Sequence, residues 1–210
     1  VRQLARVIET NKGLGFGEVI LGYNSLLVSY NPLVLSCDDV VSMLKHLEKE
    51  TDEQDTPKSR IVEIPTVYGD EWGPDLNDVA AYHNLSPEEV VSIHSGSTYL
   101  VYFMGFTPGF PFFGGMSEKI ATPRLASPRV SIPAGSVGIA NNQTGIYPVS
   151  SPGGWRLIGR TPLQFYNPER EQPFLLNPGD YVKFKPINRD QFETIKAKVE
   201  SGEYEPVIIR

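Results

Sequence analysis

Length, composition and charge already restrict what this chain can be. It has 210 residues, of which 40% are hydrophobic and 21% are charged, so it can bury a sizeable core in one large domain or two small ones. The formal net charge of −6 argues against nucleic-acid binding, which needs clustered Lys and Arg. No apolar run is long enough to span a membrane and no leader peptide is recognisable, so we expect a soluble, cytoplasmic protein.

The first sixty residues predict a small α+β layer. Apolar residues recur at helical spacing in residues 1–9, and this period returns in residues 37–50 after two short β-rich runs. Residues 51–60, TDEQDTPKSR, contain no apolar residue and carry both signs of charge with one proline, as an exposed linker does. We therefore predict an N-terminal domain over residues 1–60, lacking its first residues, and a second domain over residues 61–210.

A strand and two short helices open the second domain. Residues 61–68, IVEIPTVY, alternate like a strand, and helical patterns follow between residues 73 and 96. The second helix has strong start signals, with Ser86 as its cap, Pro87 at the first helical position and Glu89 closing a capping box. This helix carries no Arg or Lys that could contact phosphate, so we do not expect the helix pair to bind DNA.

The chain beyond Thr98 has the pattern of a β-rich domain. Eleven of the 18 prolines and eleven of the 19 glycines fall between Gly105 and Gly179, which suits short strands joined by fixed turns. The fold class is therefore α+β, with a compact barrel or sandwich in the second domain. The predicted strands are SVGIA (136–140), TGIYPV (144–149), GWRLIGRTPLQFY (154–166) and DYVKFKPI (180–187), followed by a closing helix, NRDQFETIKAKVESG (188–202).

Isolated arginines are the strongest chemical signal in this domain. Residues 121–162 contain only four charged side chains, which are Arg124, Arg129, Arg156 and Arg160. Guanidinium groups on a rigid, apolar frame indicate a site for a carboxylate or another anion. The alternative is that each arginine caps a strand end or pairs with an acid elsewhere.

Two further polar residues complete the set of candidates. Gln143 offers an amide for polar recognition, and His94 is the nearby group that titrates close to neutral pH. A histidine at a helix C-terminus is also favoured by the helix dipole, which is an equally good explanation of His94. His46, His83 and His94 lack the spacing of metal ligands, so no metal site is predicted.

Two long runs carry a family resemblance. Residues 99–116, YLVYFMGFTPGFPFFGGM, and residues 123–162, PRLASPRVSIPAGSVGIANNQTGIYPVSSPGGWRLIGRTP, closely resemble a family that includes the B subunit of bacterial ATP-dependent 5-oxoprolinase. An inhibitor of a sporulation histidine kinase belongs to the same family, whose members were long named allophanate hydrolase subunit 1. The resemblance covers essentially the whole chain and implies a small α+β domain followed by a cyclophilin-like β-barrel.

The resemblance also implies an activity and partners. In that family the B subunit works with the A and C subunits, of which the C subunit is a second cyclophilin-like protein, to open the lactam of 5-oxoproline to L-glutamate at the expense of ATP. His94, Arg129, Gln143 and Arg160 match polar positions of the family. We expect the two arginines to neutralise carboxylate or phosphate charge, Gln143 to orient the ring amide and His94 to move a proton.

The glycine-proline-phenylalanine segment, residues 105–116, matches the family's loop. Its prolines fix the backbone while its glycines permit positive φ, so the phenylalanines are presented rather than left to collapse. We predict that Pro108, Phe110 and Phe112, together with Tyr147 from the second run, contact substrate or a partner. The alternative is that the phenylalanines plug the end of the barrel.

Two other functions stay open. A kinase inhibitor would bind the helical stalk of a histidine kinase through an exposed apolar patch and would need no organised polar pocket. A carboxyltransferase component related to urea carboxylase would need a biotin-bearing partner. Because no Walker-type loop is present, we expect ATP to be bound by a partner or at a joint surface, and we expect this chain to be inactive alone.

Overall fold

The described chain falls into two compact units. The computed structural model describes residues 1–22, 24–49 and 59–209. The units are Val1–Ser59 and Arg60–Arg210. The domain boundary near residue 60 stays a prediction. Most of the predicted linker, residues 51–60, lies outside the described residues, and separate folding of the first unit stays a prediction.

The first unit has the predicted order of helix, strand, strand and helix. Its elements are α1 (Arg2–Thr10), β1 (Phe16–Leu21), β2 (Leu26–Tyr30) and α2 (Cys37–Lys49). The two strands pair antiparallel, and the apolar stripes of both helices supply the core. The buried core side chains are Ile8, Phe16, Val40 and Leu47.

The second unit is a closed β-barrel with helices. Its elements are β3 (Ile61–Tyr68), α3 (Leu76–His83), α4 (Pro87–Gly96), β4 (Thr98–Met104), β5 (Pro111–Gly114), β6 (Arg129–Ile132), β7 (Ser136–Ala140), β8 (Gln143–Ile146), β9 (Ser151–Gly153), β10 (Arg156–Arg160), β11 (Tyr181–Pro186), α5 (Arg189–Glu200) and β12 (Ile208–Ile209). Among the described residues, seven strands close the barrel in the order β10, β7, β8, β5, β4, β11 and β3, with β3 returning to β10. The pair β3 and β11 is parallel and the other barrel pairs are antiparallel. The predicted α+β class is thus confirmed, and the barrel is consistent with a cyclophilin-like one.

Local signals explain where the helices beside the barrel begin. Ser86 Oγ accepts a hydrogen bond from the Glu89 amide at 3.1 Å, and the Glu89 carboxylate accepts one from the Ser86 amide at 2.7 Å, so the predicted capping box is confirmed. The same reciprocal arrangement links Asn188 and Gln191 at the start of α5. Val90 and His94 are the buried residues of α4.

The segment that was predicted to be entirely loop contains a barrel strand. Residues 111–114 form β5, which pairs with β4 and β8. Because side chains alternate along a strand, Phe113 points into the main core while Phe112 is only half-buried. The apolar character of this segment therefore reflects a place in the barrel wall.

An ion pair between half-buried Arg60 and nearly buried Asp180 fixes the start of β3 to the loop before β11. Arg60 donates to both carboxylate oxygens of Asp180, at 2.9 and 2.8 Å, and also to the Leu175 carbonyl at 3.0 Å. The Asn177 amide donates to the same carboxylate at 2.8 Å. Asp180 is 8% exposed, and its hydrogen bonds raise the pKa of Arg60.

We expect Asp180→Ala to lower the free energy of unfolding by about 2 kcal/mol, because it leaves Arg60 Nε and the Asn177 amide without their acceptor. Urea unfolding of the chain measures this loss. The control is Lys185→Ala, which removes an exposed ion pair with Glu63 and should change the free energy of unfolding by about 0.5 kcal/mol or less. Equal losses for the two substitutions would show that the Arg60–Asp180 pair contributes no more to the free energy of unfolding than the exposed pair does.

Candidate functional site

A cleft of about 820 Å³ opens beside one end of the barrel. Its walls are the turn before β7, the segment that follows β10 and one face of α5. Leu163, Tyr166, Phe192 and Val199 supply apolar surface, and several polar side chains stand among them. A concave site with a few polar groups on an apolar lining is the usual form of a small-molecule site.

Arg160 is the predicted site residue that lines this cleft. It ends β10, and its Nε donates to the Ala134 carbonyl at 2.8 Å, which fixes the guanidinium against the turn before β7. Within the described residues, no carboxylate lies within ion-pair distance of Arg160. Partial burial lowers the pKa of Arg160, as expected for a cation without a neutralising partner. The cleft wall thus holds a fixed positive charge that an anionic ligand would neutralise.

Two more cations that sequence reasoning missed reach the same cleft. Arg170 donates to the side-chain oxygen of Gln164 at 3.0 Å and to its carbonyl at 3.3 Å, so its guanidinium is oriented without losing its charge. Lys196 comes from α5 and lies 3.9 Å from Glu200, a long contact between exposed groups. The lining therefore has an excess of positive charge in a protein whose net charge is −6.

Arg129 lies on β6, which pairs with β9 outside the barrel sheet. Its Nη2 donates to Asp75 Oδ1 at 2.8 Å, and the other oxygen of this buried carboxylate accepts from the Leu157 amide at 2.6 Å. Arg129 thus pairs with an acid, which is the alternative left open for each arginine. Its Nη1 is buried and has no hydrogen-bond partner among the described residues.

Gln143 and Arg160 lie at opposite ends of the barrel wall. Gln143 pairs with Ala140 at one end of β7, and Arg160 pairs with Ser136 at the other end. Ser136 and Ala140 are four positions apart on β7, which corresponds to about 13 Å along the strand at the usual rise. The structure therefore does not bring these two predicted residues together within this chain.

His94 lies inside the barrel and is 0% exposed. Its Nδ1 is 2.8 Å from the Tyr68 hydroxyl and its Nε2 is 2.9 Å from Thr144 Oγ1. Thr144 donates its single proton to the Gly138 carbonyl at 3.0 Å, so it must accept from His94, and Tyr68 then donates to Nδ1. This assigns a neutral ring with its proton on Nε2. Burial lowers the pKa of His94 to about 3, which disfavours proton transfer to a bound substrate.

Two of the four residues predicted to contact substrate or a partner are core residues instead. Phe110 and Tyr147 are each 1% exposed, and their rings meet edge to face at 5.2 Å in a second apolar cluster that also contains Trp155. Phe110 therefore packs in an apolar cluster, and the alternative that the phenylalanines plug the barrel end stays open.

The other two residues of that prediction remain accessible. Phe112 is half-buried and stacks on Phe103 with ring centroids 4.4 Å apart. Pro108 is exposed at the loop tip. Contact of these two side chains with a partner stays a prediction.

Two general features of the described residues bear on function. No three His, Cys, Asp or Glu side chains among them come together in a way that could hold a metal ion. In the same residues, no helix is both long and apolar enough to cross a membrane.

Residues 1–176 match the family model described as carboxyltransferase domain, subdomain C and D. The chain is 59% identical over 137 residues to the B subunit of 5-oxoprolinase from Bacillus subtilis, covering 65% of this chain and 57% of that protein. It is 55% identical over 130 residues to the protein of the same name from Escherichia coli, covering 62% of this chain and 60% of that protein. The chain therefore spans somewhat more than half the length of these curated relatives.

A solved structure matches over a larger share of both chains. A conserved uncharacterized protein from Pyrococcus horikoshii is 50% identical, with a TM-score of 0.62, and the match covers 91% of this chain and 88% of that one. The resemblance found in the sequence is confirmed by these matches. On the extent of the family match, this chain belongs to the family of carboxyltransferase domains, subdomain C and D.

Proposed function

We propose that this chain acts as the B subunit of an ATP-dependent 5-oxoprolinase. In this proposal it joins the A and C subunits in a hetero-oligomer that opens 5-oxoproline to L-glutamate with hydrolysis of ATP. The names of the two curated relatives support the assignment. The single observation that carries it is the cleft at Arg160, because an organised polar pocket is what an enzyme subunit needs and a kinase inhibitor does not.

The charges of the cleft suit the chemistry of this reaction. The substrate carries a carboxylate, and activation of its unreactive lactam by ATP would place phosphate charge beside the ring. Arg160 is held by the Ala134 carbonyl and has no acidic partner among the described residues, so its charge is free to neutralise either group. Arg170 and Lys196 would add attraction for the same anion.

The remaining predicted roles divide between this chain and its partners. Arg129 and Gln143 lie away from the cleft of Arg160, so in this proposal they would act at a second surface of the assembly or support the barrel. Because His94 is neutral and enclosed, we assign proton transfer to groups outside this chain. ATP would be bound by a partner protein or at a surface shared with it, and this chain would be inactive alone.

We expect Arg160→Ala to lower kcat/KM of the reconstituted three-subunit enzyme by about tenfold or more, because it removes the fixed charge from the cleft. Glutamate release that depends on ATP and 5-oxoproline measures the effect. Arg160→Lys should recover part of the activity, since it restores the charge without the planar fork.

The matched control is Lys198→Ala, which removes an exposed cation of α5 that is absent from the cleft lining. This variant should keep kcat/KM within about twofold of the wild-type value. If Arg160→Ala also stays within about threefold, the role of Arg160 in turnover is excluded.

The family description favours a second candidate function, that of a carboxyltransferase component. This function requires a biotin-bearing partner and transfer of a carboxyl group. Carboxylation of an amide or urea in the presence of such a partner, without glutamate release from 5-oxoproline, would favour this function over that of a 5-oxoprolinase subunit. Failure to bind either the A or the C subunit would return the kinase-inhibitor hypothesis to consideration.

A further inference from the structure

The cleft of Arg160 carries more positive charge than one carboxylate requires. Of the described residues that line it, Arg160, Arg170 and Lys196 are cations, and Glu200 is the single acid. Glu200 lies 3.9 Å from Lys196, so neither arginine has an acidic partner in the described part of the chain. A ligand that neutralises both arginines therefore needs at least two negative charges.

The hydrogen bonds of the lining leave donors available and occupy acceptors. Arg160 uses Nε for the Ala134 carbonyl, so both of its Nη groups are without an acceptor among the described residues. The side-chain oxygen of Gln164 accepts from Arg170 at 3.0 Å and from Asn167 at 3.4 Å. These two contacts keep the NH₂ group of Gln164 as a donor, and no described residue accepts from it. The cleft therefore suits a ligand that supplies acceptors only.

A chain of phosphates meets both requirements. Each phosphate of such a chain carries negative charge at neutral pH and presents acceptor oxygens, which the planar fork of an arginine binds two at a time. A lactam with a single carboxylate leaves one arginine unneutralised and brings an N–H donor that finds no free partner in this set of groups. The volume of about 820 Å³ also suits a ligand larger than one small ring.

A second cavity of about 310 Å³ adjoins the cleft. Gln164 and Arg170 line both cavities, so this hydrogen-bonded pair stands at their border. On the far side of the pair, the aromatic rings of Phe174 and Tyr204 line the second cavity. Aromatic rings stack on the flat heterocycle of a nucleotide, which inorganic polyphosphate lacks. This cavity therefore distinguishes the two sources of a phosphate chain.

We propose that the cleft of Arg160 is a binding site for a chain of phosphates, in which Arg160 and Arg170 bind the phosphates and Gln164 positions Arg170. Lys196 adds attraction from α5. The inference deepens the proposed function and rests on it, since ATP is the phosphate-bearing reactant of that reaction. The phosphates of ATP then lie on this chain's part of a surface that a partner protein completes.

Titration calorimetry of the whole chain with inorganic triphosphate, without divalent cations, tests the site. Triphosphate should bind about tenfold or more tightly than inorganic phosphate, because it contacts both arginines at once. Arg160→Ala and Arg170→Ala should each raise the Kd of triphosphate by about tenfold. The matched control, Lys198→Ala, removes an exposed cation outside the lining and should leave Kd within about twofold. Absence of triphosphate binding, or equal effects of the three substitutions, overturns the proposal.

Gln164→Glu tests the positioning role with almost no change of shape. The new carboxylate still accepts from Arg170 but cancels its charge, so the Kd of triphosphate should rise by about tenfold. The melting temperature should stay within about 3 °C of the wild-type value, which excludes a folding defect. If Gln164 served the fold alone, this variant would bind triphosphate as the wild type does, and that result would remove Gln164 and Arg170 from the site.

Two further titrations identify the source of the phosphates. If ATP binds about tenfold more tightly than triphosphate and Phe174→Ala abolishes the difference, the site takes a nucleotide with its base in the second cavity. If ATP and triphosphate bind equally and Phe174→Ala changes neither, the site takes inorganic polyphosphate. Either result supports a phosphate site, because both ligands must lose affinity in Arg160→Ala.

The KM values of the reconstituted enzyme separate this inference from the proposed function. If the assembly releases glutamate and the two arginine substitutions raise KM for ATP, both stand. If they raise KM for 5-oxoproline alone, the cleft binds the substrate carboxylate, so the inference is wrong and the proposed function stands. If triphosphate binds through Arg160 and Arg170 but no glutamate is released, the inference stands and the proposed function is wrong.

Discussion

Replacing Gly135 with alanine should lower the free energy of unfolding by about 3 kcal/mol. Gly135 has φ +82°, which only glycine adopts without cost. An added Cβ would lie 2.2 Å from the Thr161 carbonyl oxygen, and because this atom belongs to the backbone, the turn or the end of β10 must move.

The Gly135→Ala substitution should also disturb the candidate site. Gly135 donates to the Tyr147 carbonyl at 2.7 Å and accepts from the Thr161 amide at 2.9 Å, so movement of the turn weakens both hydrogen bonds. The neighbouring carbonyl, that of Ala134, is the acceptor that fixes Arg160. We therefore expect the same substitution to reduce turnover of the assembled enzyme through the position of that guanidinium.

Two glycine controls separate the contributions. Gly96→Ala has no atom within 4 Å of the new Cβ and no positive φ, so its free energy of unfolding should stay within about 0.5 kcal/mol of the wild-type value. Gly202→Ala has equally open space but φ +76°, and should lose about 1 kcal/mol from backbone strain alone. Urea unfolding of the three variants ranks their free energies of unfolding. A loss for Gly135→Ala no larger than that for Gly202→Ala would show that the turn moves away from the added Cβ without further loss of stability.

Residues that carry local signals were placed correctly from the sequence. Ser86, Pro87 and Glu89 form the capping box that their spacing predicts, and β3, β7 and α5 lie where the sequence predicts them. The density of proline and glycine after Gly105 indicated short strands, and the closed barrel agrees with it. These features depend on neighbours within a few residues, which is the range over which a sequence pattern is informative.

Features that depend on distant contacts could not be placed in this way. Lys196 reaches the cleft of Arg160 because α5 packs beside the barrel end, and Arg170 reaches it from the segment that follows β10. No pattern in the sequence marks either residue. The loop phenylalanines show the same limit, since Phe110 is buried while Phe106 is exposed. The Pro108-Gly109 pair predicted a turn, but the direction of each ring depends on where β5 joins the barrel.

His94 gives the second large effect, a loss of stability in mild acid. Its ordinary pKa is 6.5, and burial lowers the pKa to about 3 in the folded chain. Between these two pKa values the unfolded chain binds up to one more proton than the folded chain does. The contribution of His94 to stability is therefore complete above pH 6.5 and is lost as the pH falls toward 3. At 1.36 kcal/mol for each pH unit, the loss is about 3 kcal/mol by about pH 4.5.

The groups around the ring explain why protonation is so unfavourable. Tyr68 donates to Nδ1, and burial keeps the pKa of this hydroxyl well above its usual range, so it stays a donor. Phe184 and Tyr99 pack against the imidazole with centroids at 4.4 and 5.4 Å. No carboxylate hydrogen-bonds to the ring in the described part of the chain, so an imidazolium there would be buried without a counterion.

Comparison of the wild type with His94→Gln separates the effect of His94 on acid stability from that of the carboxylates, because both proteins have the same carboxylates. Glutamine can donate to Thr144 and accept from Tyr68 without titrating, so the variant should lose about 3 kcal/mol less stability between about pH 7.5 and pH 4.5. Urea unfolding at the two pH values measures the difference. Equal acid sensitivity of the two proteins would mean that His94 titrates normally and is available for proton transfer. A flatter profile for the variant would instead identify His94 as a neutral hydrogen-bonding residue that joins α4 to the barrel core.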